Sequence, residues 1–217
     1  MSLRTSFAAA TAITFAALAT AEAEEAVDLA NGAELFELCA QCHGEAGHGN
    51  RDFLAPAIAG FDTWYVEMQL GEFRSGLRGR HFDDLAGMRM RPMSMTLRTE
   101  QELRDVAAYV ASLPKSDPEP TLEGDAEAGK ALYTLCGACH GETADGIAPM
   151  KAPALNHTHD WYLVEQLQKF KAGVRGTAPG DPYGVLMGPQ SPMALTLKSE
   201  QSVRDVVAYI MTLESSR

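Results

Sequence analysis

The 217-residue chain is short of several things, and each shortage narrows what it can be. It has four cysteines, too few and too widely spaced for a disulfide-stapled small domain. Basic side chains number 18 against 29 acidic ones, and the formal charge of -11 argues against a protein that grips nucleic acid by its phosphates. No segment alternates apolar and polar residues as a half-buried strand does. The longest apolar run, Phe7 to Ala19, is mostly alanine and threonine and falls short of the roughly 20 residues that span a bilayer. What remains, 46% hydrophobic and 22% charged residues, describes a packed globular chain.

That apolar run follows Arg4 and ends in Ala21-Glu22-Ala23, the small-x-small pattern of a cleaved export signal. Cleavage near Ala23, a mature chain from Glu24 and delivery to the periplasm are expected. The mature part repeats itself. GAELFELCAQCH (32–43) returns as GKALYTLCGACH (129–140), an offset of 97 that also carries Pro56 onto Pro153 and Trp64-Tyr65 onto Trp161-Tyr162. It carries Gly76-Leu77-Arg78-Gly79 onto Gly173-Val174-Arg175-Gly176 as well. The closing segments, from Thr99 to Leu113 and from Ser199 to Leu213, match at an offset of 100, so three residues enter the second half between Gly176 and Ser199. Two copies of this size make a tandem pair of domains. The expected organisation is a signal peptide over 1–23, domains over 24–114 and 125–217, and between them an extended, solvated linker over 115–124, within PKSDPEPTLEG.

The expected class is all-α. Asn31 and Asp125 are placed to cap the first helix of each half, and Thr99 and Ser199 the last. Apolar residues at helical spacing run from Trp64 to Phe73 and from Trp161 to Phe170, with glycines Gly76 and Gly173 as stops. Between the helices lie long Gly/Pro-rich stretches that cannot easily fill a core with their own side chains. Something else should occupy the centre of each half.

The cysteines say what. Each half has one C-x-x-C-H: Cys39, Cys42, His43 and Cys136, Cys139, His140. This is the attachment signature of haem c: two thiols form thioethers with the vinyl groups and the adjacent histidine ligates the iron. A zinc knuckle or a redox dithiol also uses C-x-x-C, but neither needs the histidine directly after the second cysteine. Two covalently bound haem c groups are therefore expected, one per half.

Two CxxCH segments in tandem, a Gly-rich stretch after each histidine, a Trp-Tyr helix, a methionine-bearing loop and a closing helix ending in AAY or VAY resemble the dihaem cytochromes c of the c-four type. The second half also resembles the cytochrome c domains attached to some haem-copper oxidases, with Tyr183-Gly184 ahead of the methionine. The resemblance implies two cytochrome c-like folds, a methionine opposite each histidine, and a proline carbonyl on the other ring nitrogen, here from Pro56 and Pro153. In the c-four pattern the ligand lies seven residues before a leucine that precedes the last helix. Counting back from Leu97 gives Met90, but from Leu197 it gives Gln190. Registered from upstream, Gly87-x-x-Met90 matches Gly184-x-x-Met187, so Met187 is the first choice for the second iron and Met193 its rival. His48, His81, His157 and His159 do not recur at the repeat offset and are expected in solvated loops, with bis-histidine ligation the lesser alternative. Trp64, Tyr65, Trp161 and Tyr162 are expected in the core, with a place along a haem edge or at a propionate the lesser alternative.

With both irons six-coordinate, the chemistry available is one-electron exchange. The expected role is a periplasmic carrier between a dehydrogenase or quinol-oxidising complex and a terminal oxidase or reductase, with no span of the mature chain in a membrane. Residues 24–120 carry 9 basic and 17 acidic groups and residues 121–217 carry 8 and 11, so redox partners with basic docking surfaces are expected. The alternatives are an electron-accepting subunit of a dehydrogenase, or an enzyme with one catalytic haem in peroxide or thiosulfate chemistry.

Overall fold

The computed structural model describes residues 26–214, so the expected export signal lies outside the described residues. Eight α-helices follow in order: α1 (Leu29–His43), α2 (Thr63–Ser75), α3 (Leu85–Ser94), α4 (Glu100–Ser112), α5 (Ala126–His140), α6 (Asp160–Lys171), α7 (Pro192–Thr196) and α8 (Glu200–Ile210). Among the described residues the only β-type pairings are two isolated bridges, Asn50 with Ala55 and Ile147 with Ala152. The first four helices build one half and the last four the other.

Each half is held by its first helix crossing its last. In the first half Phe36 packs with Leu97, Leu103, Val106 and Val110; in the second Tyr133 packs with Leu197, Val203, Val206, Val207 and Ile210. The crossing is close because glycine sits at it: a Cβ on Gly32 would stand 2.2 Å from the Asp105 carbonyl oxygen, and one on Gly129 1.9 Å from that of Asp205. Polar bonds lock the first crossing. Asp105, 1% exposed, accepts from the Asp28 N–H at 2.9 Å, Asn31 Nδ2 at 2.8 Å and Gln101 Nε2 at 2.7 Å. Asp205 accepts from the Asp125 N–H and from Gln201, but Ala128 stands in the place of Asn31.

Asp28, not Asn31, caps α1, its carboxylate accepting from the Ala30 and Asn31 N–H groups. The repeat offset carries Asp28 onto Asp125, which does cap α5. Asn31 is drawn into the Asp105 lock instead. Thr99 and Ser199 form capping boxes with Glu102 and Ser202. Gly76 caps α2, whereas α6 ends one residue earlier on Ala172, with Gly173 just beyond it at φ 73°.

Two features differ from the sequence expectation. The first methionine segment is a helix, α3, rather than a loop, while the second is broken into a 3-10 turn (Gly184–Leu186) and the short α7. Gly188 and Pro189 divide these two pieces and Pro192 opens α7 at its first position; its counterpart Pro92 lies inside α3, so the glycine and Pro189 mark the difference between the halves. The linker is extended but not simply solvated. Asp160, 2% exposed, accepts from the Thr121 N–H at 2.5 Å, the Leu122 N–H at 2.6 Å and Thr121 Oγ1 at 2.9 Å. A buried carboxylate needs such donors, and these peptide groups supply them.

The halves also touch directly. His159 Nδ1 accepts from the Ala57 N–H at 3.0 Å, Thr158 Oγ1 donates to the Ala57 carbonyl at 3.0 Å, and the His157 ring packs against Phe61 at a tilt of 50°, 4.3 Å between centroids. His157 and His159 are thus interface residues and not solvated loop residues, a correction that recurrence at the repeat offset could not have revealed. His48 is exposed and His81 half-exposed.

Candidate haem-binding sites

The last turn of α1 holds Cys39 and Cys42 three residues apart, on one face of the helix, and ends at His43. Gly44, at φ 78°, stops the helix and turns the chain back. Gly49 follows at φ 85°, where a Cβ would strike the Pro56 carbonyl carbon and the Ala57 nitrogen at 2.5 Å. This tight return brings the Pro56 carbonyl to 2.8 Å from His43 Nδ1. The second half repeats it: Gly141 and Gly146 turn the chain and the Pro153 carbonyl stands 2.8 Å from His140 Nδ1. A carbonyl only accepts, so each Nδ1 carries the proton and each Nε2 keeps its lone pair. Burial holds both imidazoles below the usual histidine pKa, against the proline carbonyls that favour the charged form. A neutral imidazole with a fixed tautomer and a free Nε2 lone pair is what a metal ligand requires.

Beside His43 the first half opens into a cup of about 1180 Å³, including its mouth. Cys39, Cys42, His43, Pro56, Met90 and Met93 all line it, with apolar walls from Phe61, Val66, Leu70 and Phe73. The predicted residues of this half are therefore brought together around one apolar volume. Met90 is half-buried and Met93 is 41% exposed. Burial pushes the Cys39 and Cys136 thiols up to about 11. Among the described residues no three His, Cys, Asp or Glu side chains converge as a zinc site would need.

In the second half Cys136 and Met187 pack against the apolar cluster that contains Met193. Asp84 caps α3 through the Gly87 N–H at 3.0 Å, and Asp181 accepts from the Gly184 N–H at 2.6 Å. Met90 and Met187 stand at the same register from these caps. Met93 and Met193 instead share a register from the closing helices, where the offset is 100. Met187 is half-buried and Met193 is 6% exposed.

A model of the family described as "Cytochrome c" matches residues 29–114 and again 126–214. The chain belongs to the cytochrome c family. It is 30% identical over 190 residues to cytochrome c4 of Thiocapsa roseopersicina, across 81% of this chain and 87% of that one. Reduced recombinant cytochrome c4 from Pseudomonas stutzeri has the same architecture at a TM-score of 0.66 and 25% identity, covering 87% of this chain and 100% of that chain. A thiosulfate dehydrogenase (TsdBA) from Marichromatium purpuratum is similar at a TM-score of 0.68 and 29% identity, but this chain covers 40% of it. The chain is a tandem cytochrome c that carries two covalent haem c groups and transfers electrons. The apolar cup, the paired cysteines and the oriented histidine fit that group. Among the described residues no helix is long and apolar enough to cross a membrane.

Tyr65, Gln69 and Arg78 line the cup from their own half, and Tyr162, Gln166 and Lys169 line it from the other half. Tyr65 and Tyr162 thus take the lesser of their two expected places, in the wall of the site, whereas Gln69, Arg78, Gln166 and Lys169 were passed over in the sequence. Burial pushes the Tyr65 hydroxyl up to about 12, keeping it a hydrogen-bond donor. The signal was present in the arginine and glutamine positions, which recur at the offset of 97 although polar residues need not.

Proposed function

We propose that this cytochrome is a periplasmic carrier of single electrons between a dehydrogenase or quinol-oxidising complex and a terminal oxidase or reductase. In this reading His43 with Met90 and His140 with Met187 would hold the two irons, and the Pro56 and Pro153 carbonyls would orient the two histidines. The observation that carries the reading is the shared cup of His43, both of its cysteines and Met90, where a thioether is at hand for the sixth position. A haem iron held by histidine and methionine exchanges single electrons and offers no open position to a substrate. The chain's part is to fix the imidazole tautomer, keep water away with apolar walls and supply the thioether. The leader-like pattern of residues 4–23 supports export, and the excess of acidic groups supports partners with basic docking surfaces.

The test is a spectroelectrochemical titration of the holoprotein with single alanine substitutions. Met90→Ala is expected to abolish the sulfur-to-iron charge-transfer band of one haem and lower its potential, and Met187→Ala to do the same to the other. If Met193→Ala removes the second band and Met187→Ala does not, Met193 is the ligand. The resemblance to a thiosulfate dehydrogenase, with Gln190 at the leucine-counted position, supports a second reading in which the second iron is catalytic. Carbon monoxide binding to the unperturbed reduced protein would favour that reading.

A further inference from the structure

The contact between the halves is built from pairs related by the repeat. Tyr65 answers Tyr162, Gln69 answers Gln166, Arg78 answers Arg175 and Asp84 answers Asp181, each 97 residues apart. Arg78 donates to Gln69 and to Gln166, and Arg175 donates to the same two amides at 2.8 and 3.0 Å. Both arginines serve both halves alike, so they cannot distinguish them.

One pair breaks the symmetry in charge. Position 169 on α6 is lysine, and its counterpart on α2 is Glu72. Lys169 Nζ crosses to the first half and stands 2.6 Å from Asp84 Oδ1, with side-chain exposures of 8% and 3%, and 2.5 Å from Glu165 Oε1 of its own helix. Asp84 caps α3, the helix of Met90, and Lys169 itself lines the cup of the first haem. A positive charge from the second half therefore sits in the wall of the first site. The mirrored arrangement puts Glu72 within electrostatic range of Asp181, which accepts from the Gly184 N–H ahead of Met187. Gln69 Nε2 donates to Glu72 at 3.0 Å, and Arg78 and Arg175 are its nearby cations. The place of Glu165 is taken by Met68. At the mirrored position the formal charge goes from +1 at Lys169 to -1 at Glu72, while Arg78 and Arg175 bridge both halves.

Reducing a haem adds one negative charge, which a nearby cation favours and a nearby carboxylate opposes. We propose that Lys169 and Glu72 are positioning residues that tune the two haems in opposite senses, Lys169 raising the potential of the haem in the first half and Glu72 lowering that of the haem in the second. The proposal rests on the dihaem reading, which a count of haem c per purified chain checks separately.

The experiment is a potentiometric titration of the holoprotein and its variants, resolving two one-electron waves. Lys169→Met is expected to shift one wave downward and leave the other in place, while Lys169→Arg keeps both at their native positions. Glu72→Gln is expected to shift the other wave upward. Should Lys169→Met fail to fold, Glu72→Gln and the isosteric, charge-removing Asp181→Asn carry the test alone, both moving that same wave upward. The proposal is overturned if Lys169→Met and Glu72→Gln move the same wave, move either in the opposite sense, or leave both unmoved. A haem count other than two contradicts the dihaem reading instead.

Discussion

Replacing Gly32 by alanine sets helix propensity against a backbone clash, and the magnitudes decide the sign. In a helix interior alanine is worth roughly 1 kcal/mol over glycine. Here, however, the new Cβ would lie 2.2 Å from the Asp105 carbonyl oxygen, 2.7 Å from its carbon and 2.9 Å from Tyr109 Cβ. No side-chain rotation relieves a contact with backbone, so α1 must move off α4. Overpacking of this kind costs about 1–3 kcal/mol. Separation also stretches the Asp28 and Asn31 bonds to the buried Asp105 carboxylate, and bonds to charged groups are worth about 1.5–3 kcal/mol each. A net loss of about 2–4 kcal/mol is expected after the propensity gain. Gly71, inside α2, has nothing within 4 Å of its would-be Cβ, so Gly71→Ala keeps the propensity term alone and stabilises by about 0.5–1 kcal/mol. Thermal unfolding of the holoprotein followed by circular dichroism reads both. At about 4–8 °C per kcal/mol for a domain of this size, Gly32→Ala lowers the midpoint of the first-half transition by on the order of 10–20 °C and Gly71→Ala raises it by a few degrees. A Gly32→Ala protein as stable as the parent would refute the crossing geometry.

Three further outcomes are expected. Burial raises the Asp105 carboxyl pKa, but the Asp28, Asn31 and Gln101 donors outweigh it and hold it below the usual carboxylate value. Its stabilisation is therefore complete above about 3.9, the unfolded value, and lost as pH falls through the lower folded one; Asp105→Asn flattens that acid limb in pH-dependent denaturation. Burial likewise lowers the pKa of His159, with Asp160 opposing and Arg51 assisting. The neutral ring is the form that accepts the Ala57 N–H, so the contact between halves weakens as pH falls from about 6.5 through the lower folded value. Limited proteolysis in the 114–124 segment should quicken over that range in the parent, while His159→Ala is cut quickly at every pH. Reduction of the protein by a basic redox partner slows as ionic strength rises; a stopped-flow rate indifferent to salt would contradict the docking surface expected from the acidic excess.

The parts of the molecule most legible in the sequence were those written twice. The CxxCH segments, the Thr99 and Ser199 caps and the all-helical pattern stand out because each recurs at a fixed offset and obeys a local rule. Asn31 was misread because local rules favour asparagine at a cap, whereas the residue is claimed by Asp105, 74 positions away. His157 and His159 looked like loop residues because nothing near them in the chain announces Phe61 and Ala57, about a hundred positions upstream. The α3 helix and its broken counterpart illustrate a different limit. Both carry methionines at matching register, but the three extra residues, with Gly188 and Pro189 beside them, separate the broken segment from the helical one, which keeps Pro92 inside it. The contact of Lys169 with Asp84 exists only once the two halves pack together, because the two residues are 85 positions apart in the chain.

The central claim is that both irons sit between a histidine and a methionine and do nothing but exchange electrons. It is tested most directly by exposing the fully reduced native protein to carbon monoxide after a redox titration. The account predicts two one-electron waves, a low-spin ferric spectrum with a sulfur-to-iron charge-transfer band from each haem, and no spectral change with carbon monoxide. A high-spin component, or a carbon monoxide adduct on either haem, would contradict it.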